Sequence, residues 1–522
     1  MQLEKKYIHK NSQKADAAVQ MTLDDDYNIP DYRADAVKII QSRGRVMLDD
    51  VKAMNGHVAL KGKMQFWILY QTDEIESKIS CLKGEIPIQE TVVADQANEY
   101  DKVKVQAKLE DLSISMINSR KISIKAWIML NVTIEDIEDE EVVIAAEGEE
   151  SGRIQVRRQG IDVLQLVFQN KDTVRIREDI ELPSGKENIQ EILWWNVQEN
   201  SMVMQLKENR LEVNGQLQVF VLYYTQEQNQ KLEWYEKNVS FSGSLDINGA
   251  NEEMISSVKA RLANVDLETK ADLDGEDRVL HMEAVLEFDL HLYEEEKLMI
   301  LDDVYALDCH LIPEYEQAEF MTLLAKNMTR ATIQEQIALE AQQESVLQVC
   351  DVQGDIIVER EEIVEDGVLA EGVFSLQVLY ITAKDESPLG SVNATFPFHQ
   401  VIEARGIGPQ SMYELDARQS QISLTITDSR QIEVKAVIEF EFIGFDKARF
   451  SRIKSVSEEP LDLELLQRKP GIVGLIATEE DSLWNIAKQY HTTQEALMEM
   501  NQMTDSTLHK GQKIMIVKSI VQ

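Results

Sequence analysis

The most constraining feature of this sequence is an internal repeat. Three strings share a leading glycine, an apolar run and a closing Leu-Tyr, and they begin at Gly62, Gly215 and Gly372. Their offsets are 153 and 157 residues, and the same two offsets separate a second anchor at Ala107, Ala260 and Ala417. Self-similarity at a fixed spacing is the signature of a repeated structural unit. The sequence therefore predicts three copies of one domain.

The domain boundaries follow from this register. A third anchor, at Ala126, Ala284 and Ala436, agrees with it if one loop of the middle copy is five residues longer. A length of 522 residues is itself too great for one compact domain. We expect repeated domains at 1–146, 151–305 and 306–460, and a separate module at 471–522.

The periodicity of each copy predicts strands. Residues 282–292 alternate between apolar and polar, as a strand with one buried face does. The strings that end at Tyr70, Tyr223 and Tyr380 are apolar at nearly every position, which is typical of strands covered on both faces. These tyrosines are predicted to be core residues with their hydroxyls at the edge. The predicted fold class is mainly β: three repeated β-rich domains with short helices.

The short helices are predicted ahead of these strands. In residues 29–41 and 182–194 a proline precedes a short amphipathic stretch, and Pro30 and Pro183 are again 153 residues apart.

The charge of the chain excludes several classes of partner. It has 93 Asp and Glu against 53 Lys and Arg, a formal net charge of −40. Such a surface repels phosphate backbones and anionic lipid headgroups, so we expect neither nucleic-acid binding nor direct membrane binding. The most acidic stretch, residues 135–150, is predicted to be a solvated linker or domain edge rather than a calcium site. The run Asp24, Asp25 and Asp26 is predicted to lie in a loop before Pro30.

Residues 1–11 lack the apolar stretch of a signal peptide, and no later run is long enough to span a bilayer, so a cytoplasmic location is expected. The three cysteines, Cys81, Cys309 and Cys350, are far apart and odd in number. This spacing gives neither a disulfide framework nor a metal site, and we expect buried or idle thiols.

The sequence contains no recognisable catalytic motif. It has no GxxxxGK[ST] phosphate loop, no HExxH, no CxxC and no GxSxG. The string from Gly406 to Pro409 is predicted to be a turn. His281 and His291 are predicted to lie on the polar face of one strand, too far apart to share a metal. We therefore expect no enzyme activity, no cofactor and no metal.

The C-terminal module has a different pattern. From Gly471 it predicts a strand, two short helices and a closing strand. Asp481 or Ser482 can cap the first helix, and Thr492 or Thr493 can cap the second. Apolar residues then recur at helical spacing, which gives the module its own small core.

This module resembles the LysM domain, a small βααβ fold, through DSLWNIAKQYHTT, the following Asn501 and LHKGQKIMIV. Members of that family bind N-acetylglucosamine glycans, such as peptidoglycan, in a groove between two loops. Leu475, Glu480 and the position after Ile516 depart from the family pattern, and a carboxylate at the groove rim favours a protein partner instead. The resemblance implies these groove residues: Asp481, Ser482, Asn501, Gln502 and Met503.

Three Gly-to-Leu-Tyr repeats followed by LysM resemble the SipL-like family of spore-coat morphogenetic proteins, whose repeats are SPOCS domains. The resemblance implies a scaffold in the mother-cell cytosol, at the forespore surface, without enzyme activity. It further implies partners among coat proteins, with LysM bound to the basement-layer ATPase of the coat. The alternative is a peptidoglycan-binding protein in which LysM binds the glycan and the repeats act as spacers.

Overall fold

A computed structural model describes residues 2–74, 77–226, 230–461 and 470–517. Within these residues the chain forms eighteen long strands, six in each repeat, and a final module of two strands and two helices. The mainly-β fold class is therefore confirmed.

The strands of the first repeat are β1 Leu3–Asn28, β2 Ala36–Met54, β3 His57–Thr72, β4 Ile79–Val93, β5 Lys102–Asn118 and β6 Lys121–Ala146. Those of the second are β7 Ile154–Glu181, β8 Ile189–Lys207, β9 Arg210–Thr225, β10 Leu232–Asp246, β11 Ile255–Ala271 and β12 Asp277–Ala306. Those of the third are β13 Cys309–Ala338, β14 Val346–Val364, β15 Gly367–Thr382, β16 Leu389–Glu403, β17 Met412–Asp428 and β18 Gln431–Pro460. The final module has β19 Ile472–Ile476, α1 Leu483–Tyr490, α2 Gln494–Asn501 and β20 Lys513–Val517.

Each repeat is built from two antiparallel three-stranded sheets. In the first repeat their orders are β1-β6-β5 and β2-β3-β4, and the other two repeats have the same topology. The first strand of a repeat thus pairs with its last strand, which closes the unit. The apolar faces of the two sheets pack together, so each repeat has its own core.

The repeated tyrosines lie in these cores, as predicted. Tyr70, Tyr223 and Tyr380 are almost completely buried. Each hydroxyl donates to a backbone carbonyl 36 residues earlier in the chain, over distances of 3.4, 3.4 and 3.2 Å. The string from Gly406 to Pro409 lies in the turn between β16 and β17, also as predicted.

The two predicted short helices are wrong. Residues 31–33 form a tight turn in which the Arg33 N–H donates to the Pro30 carbonyl, and the chain then enters β2. Register shifts between Ala36 and Lys38 and between Ile39 and Gln41 interrupt the pairing of β2 with β3. Such bulges bring apolar residues to one face at spacings of three and four, which imitates a helix. The same shifts recur at the start of β8.

The acidic stretch is not a linker through most of its length. Residues 135–146 complete β6 and pair with the N-terminal part of β1, whose lysines face the carboxylates. Lys10 lies 2.9 Å from Glu140 and Lys5 lies 2.5 Å from Glu141. The predicted loop at residues 24–26 is also wrong, because these residues belong to β1. The carboxylates at residues 24–26 face solvent, whereas those of Glu135 and Glu140 are mostly buried against the other repeats.

The paired ends of the first and last strands project from each repeat as a two-stranded ribbon. The three ribbons are 3–10 with 138–146, 154–163 with 296–306, and 309–320 with 448–460. One buried cluster contains a residue from the equivalent position of each repeat: Ile8, Ile161 and Ala318. A second buried cluster joins the β2-β3-β4 sheet to its equivalents in the other repeats through Leu69, Leu222 and Leu379. The three repeats therefore pack around a shared centre.

Candidate binding site

The final module is a compact βααβ fold. β19 pairs antiparallel with β20, and α1 and α2 pack on one face of this sheet. Ser482 and Thr493 cap the two helices, because their hydroxyls accept the backbone N–H groups of Asn485 and Ala496 at 3.1 Å. Each helix ends in a left-handed residue, His491 and Gln502, whose N–H bonds back to the last turn.

The first candidate loop leads into α1. The Asp481 carboxylate accepts hydrogen bonds from the Thr478 backbone N–H at 2.8 Å and the Thr478 hydroxyl at 2.7 Å. These bonds, the backbone one first, hold the pKa of Asp481 below its ordinary value. The loop therefore presents an ionised carboxylate next to the helix cap at Ser482.

The second candidate loop follows α2. The Asn501 amide nitrogen donates to the Leu497 and Met515 carbonyls, both at 2.8 Å, and its oxygen accepts the Met515 N–H at 2.7 Å. Asn501 thus fastens the end of α2 to β20. The next residue, Gln502, is exposed, and Met503 packs partly against the core of the module. Among these three residues, Gln502 has the side chain most available to a partner.

The module is docked on the repeats. The Trp484 indole N–H donates to Oδ2 of Asp303 at 2.7 Å, and the Lys488 ammonium donates to Oδ1 at 2.6 Å. The Tyr315 hydroxyl donates to Oδ1 as well, at 3.0 Å. Burial raises the pKa of Asp303, but these hydrogen bonds, that of Lys488 first, outweigh it and keep the pKa below the ordinary value.

Further contacts surround this carboxylate. The ring of Tyr305 meets that of Trp484 edge to face with centroids 4.9 Å apart, and its hydroxyl donates to the Thr492 carbonyl at 2.8 Å. Nδ1 of His491 lies 3.1 Å from the Ala306 carbonyl. The dock therefore uses the C-terminal end of the second ribbon, one side of α1 and the two residues that follow α1.

Sequence reasoning missed Asp303 and Tyr305. By the third-anchor register, the positions equivalent to Asp303 are Ala145 and Ser455 in the other repeats. This departure within a repeated strand is the one sequence signal that could have identified the dock.

The histidine prediction is half wrong. His281 is partly exposed on β12, but His291 is only 2% exposed. The face that carries it is covered by the first repeat, whose Glu135 carboxylate lies 3.8 Å from Nε2. His291 and then Lys104 stabilise the ionised carboxylate and lower the pKa of Glu135 to about 2, against the effect of its burial.

Metal chemistry finds no support in the described ranges. In them, no three side chains of His, Cys, Asp and Glu are arranged to hold a metal ion. Cys309 and Cys350 are buried and Cys81 is half-buried, and burial raises the pKa of all three thiols.

The family described as "SipL, SPOCS domain" matches residues 35–117, 188–270 and 345–427, and the LysM domain family matches residues 477–517. The chain therefore contains three SPOCS domains followed by a LysM domain. Each SPOCS match covers the second to fifth strands of one repeat, while the ribbons lie outside it. No curated protein and no solved structure matches the chain.

SPOCS and LysM are binding domains rather than catalytic ones, and together they indicate a sporulation-related protein capable of binding peptidoglycan. No helix in the described residues is long and apolar enough to cross a membrane.

Proposed function

We propose that this protein is a non-enzymatic scaffold for spore-coat morphogenesis. In this proposal it works in the mother-cell cytosol at the forespore surface, where its LysM domain tethers the coat by binding the basement-layer ATPase. The dock at Asp303 is the observation that carries the proposal. It joins the binding module to the three SPOCS domains, so a load applied to LysM is transmitted to the whole scaffold.

The proposed contact surface is formed by the two LysM loops. The first loop contributes Asp481 and Ser482 and the second contributes Gln502 and Met503, while Asn501 fixes the second loop. The dock contacts of LysM come instead from Trp484, Lys488, His491 and Thr492, so a partner can reach the loops in the docked state. The ionised Asp481 carboxylate supplies a hydrogen-bond acceptor and the exposed Gln502 amide supplies a donor, so this surface can hydrogen-bond to polar groups of a protein partner.

The SPOCS domains supply further surfaces for coat proteins. They are three similar units in one chain, so weak contacts made by each unit add through a high effective concentration. A scaffold of this kind needs no single strong site.

The second candidate function is peptidoglycan binding, with the SPOCS domains as spacers. Its support is the match of residues 477–517 to the LysM family. The polar side chain of Gln502 and the carboxylate of Asp481 are groups that can hydrogen-bond to the hydroxyls of a sugar.

A pair of charge-matched variants of the full chain separates the two functions. Gln502→Glu changes the second loop, and Gln489→Glu makes the same change at an exposed position on α1. If the protein is a scaffold, only Gln502→Glu is displaced from the forespore surface in sporulating cells, and neither the parent nor the variants sediment with purified cell wall. If it is a wall binder, the parent and Gln489→Glu sediment and Gln502→Glu does not.

A further inference from the structure

A cleft between the first and second SPOCS domains has a charge opposite to that of the chain. It has a volume of about 460 Å³ and is lined by β2, β3 and β4 on one side and by β8 and β11 on the other. Four cationic side chains line it, Arg43, Arg45, Lys63 and Lys83, against one carboxylate, Asp266. This excess of positive charge contrasts with a net charge of −40 for the chain.

Arg43 is more buried than Arg45 or Lys63. Its guanidinium carbon is 4.6, 4.9 and 4.5 Å from the ring centroids of Trp67, Trp194 and Trp195, and it donates to the Trp195 carbonyl at 2.5 Å. Its buried Nε has no hydrogen-bond partner, and no carboxylate in the described part of the chain forms an ion pair with it. Burial lowers the pKa of Arg43 to about 10, so it remains charged at neutral pH.

The other cations surround this group. Arg45 donates to the carbonyls of Leu262 and Ala263. Lys83 is exposed and lies 5.7 Å from the ring centroid of Trp67, its register partner on β3. Lys63 is 2.6 Å from Glu85 at the rim. Within the described residues Lys83 has no ion pair, so its ammonium group is free to meet an external anion.

The repeat register shows that the fold does not require these cations. Three of the four correspond to neutral residues in the second repeat, and the fourth to an acidic one. The third repeat likewise has no cation at these positions. The equivalents are Asn196, Gln198, Gln216 and Glu236 in the second repeat, and Gln353, Asp355, Val373 and Asn393 in the third.

We propose that this cleft binds a small ligand that carries an oxyanion, either a phosphate or a carboxylate. Guanidinium and ammonium groups form the strongest protein hydrogen bonds to such oxygens, and indole faces beside them pack the apolar part of a ligand. The volume falls within the range of small-molecule sites. Asp351 acts on the charge of Arg43 without forming a direct ion pair, so an anion in the cleft would add to the compensation of this buried cation.

Tryptophan fluorescence of the full chain reports this binding, because three of its six tryptophans surround Arg43. Inorganic phosphate and citrate are titrated separately at constant ionic strength, with chloride as the replaced anion. We expect a saturable change with at least one of them, and the tighter binder identifies the group. Lys83→Glu is expected to weaken that binding by about tenfold or more, since it reverses one of the charges that contact the ligand.

Lys61→Glu is the matched control. It makes the same charge change at an exposed position of β3, two residues from Lys63 and outside the lining of the cleft. Loss of binding in Lys83→Glu but not in Lys61→Glu supports the site. A linear response to both anions, or equal weakening in the two variants, overturns it.

Discussion

The indole N–H of Trp484 in the LysM domain donates a 2.7 Å hydrogen bond to Asp303, which lies 181 residues earlier in the ribbon of the second repeat. The same carboxylate accepts from Lys488 at 2.6 Å. A tryptophan that would otherwise serve only the small LysM core therefore also holds LysM against the repeats. Substitution of Trp484 would disturb folding and docking together, so Asp303 is the better position at which to test the dock.

Asp303→Ala is expected to release the LysM domain. It leaves the Trp484 N–H and the Lys488 ammonium without their acceptor, and removing one partner of a buried pair costs roughly 3 kcal/mol. Hydrogen exchange at α1 should increase, while protection in β8 and β9 should stay unchanged.

Glu283→Gln provides the control. Glu283 lies on β12, the strand that carries Asp303, and this change removes its exposed ion pair with Arg177 on β7. Exposed pairs contribute about 1 kcal/mol or less, so α1 should retain its protection. Unchanged exchange in Asp303→Ala would show that this carboxylate does not hold the dock.

The packing of the ribbons depends on Arg452. Its guanidinium lies 2.7 Å from both Glu140 in the first repeat and Glu316 in the third, and its side chain is only 13% exposed. Arg452→Ala should lower the free energy of unfolding by roughly 3 kcal/mol, because both carboxylates lose their shared cation. Urea denaturation measures this difference.

Arg449→Ala serves for comparison, because Arg449 pairs with Glu319 on the surface at 2.7 Å with 65% of its side chain exposed. It should change stability by about 1 kcal/mol or less. Equal effects of the two alanine substitutions would contradict a role for Arg452 in closing the ribbons.

The free energy of unfolding is expected to fall as pH rises from about 5 to 7. The reason is Glu199, whose pKa is raised to about 7 in the folded chain. Burial is the first cause of this raised pKa, and Asp416, Glu439 and Glu441 add to it, while Arg418 opposes it. A carboxyl with a raised folded pKa binds its proton more tightly when folded. Its contribution is complete below the unfolded pKa and is lost as pH rises through 7. Glu199→Gln should therefore stabilise the chain above pH 7 by roughly 2 kcal/mol and flatten this slope.

Chemical denaturation across this pH range, with Glu208→Gln as an exposed control in the next turn, measures the effect. Burial also raises the pKa of Asp351, to about 6. Asp351 therefore adds its own loss of stability with rising pH, and both variants retain this loss. A parallel shift of the whole profile in Glu199→Gln would contradict the assignment.

The tyrosine hydroxyls are expected to contribute modestly. Tyr380→Phe removes the 3.2 Å bond to the Glu344 carbonyl and should cost about 1 kcal/mol. Tyr380→Ala also empties a core position and should cost roughly 3 to 5 kcal/mol. Thermal unfolding of the two variants distinguishes the hydroxyl from the ring, and similar losses in both would place the ring outside the core.

The sequence was sufficient for the repeats, the strand-rich fold and the tyrosine cores. Equal offsets between copies and period-two alternation within each strand can both be read from the order of residues alone. It misled where bulges in β2 and β8 reproduced helical spacing. It also misled at residues 135–146, because the basic partner strand that balances the charge is more than a hundred residues away.

The candidate site shows the same division. The capping hydroxyls of Ser482 and Thr493 follow from local pattern, and the structure contains both. Asp303 could not be assigned to LysM from the sequence, since its partners come from another domain. The pairing of Arg43 with three indoles is also non-local, because Trp67 and Trp195 belong to different repeats.

The most direct test of the proposed scaffold is a parallel titration of the full chain with the basement-layer ATPase of the coat and with N-acetylglucosamine oligomers. We predict binding to the ATPase that Gln502→Glu abolishes and Gln489→Glu leaves intact, without measurable affinity for the sugar. Sugar binding lost in Gln502→Glu, with no binding of the ATPase, would contradict the scaffold and establish the glycan-binding function instead.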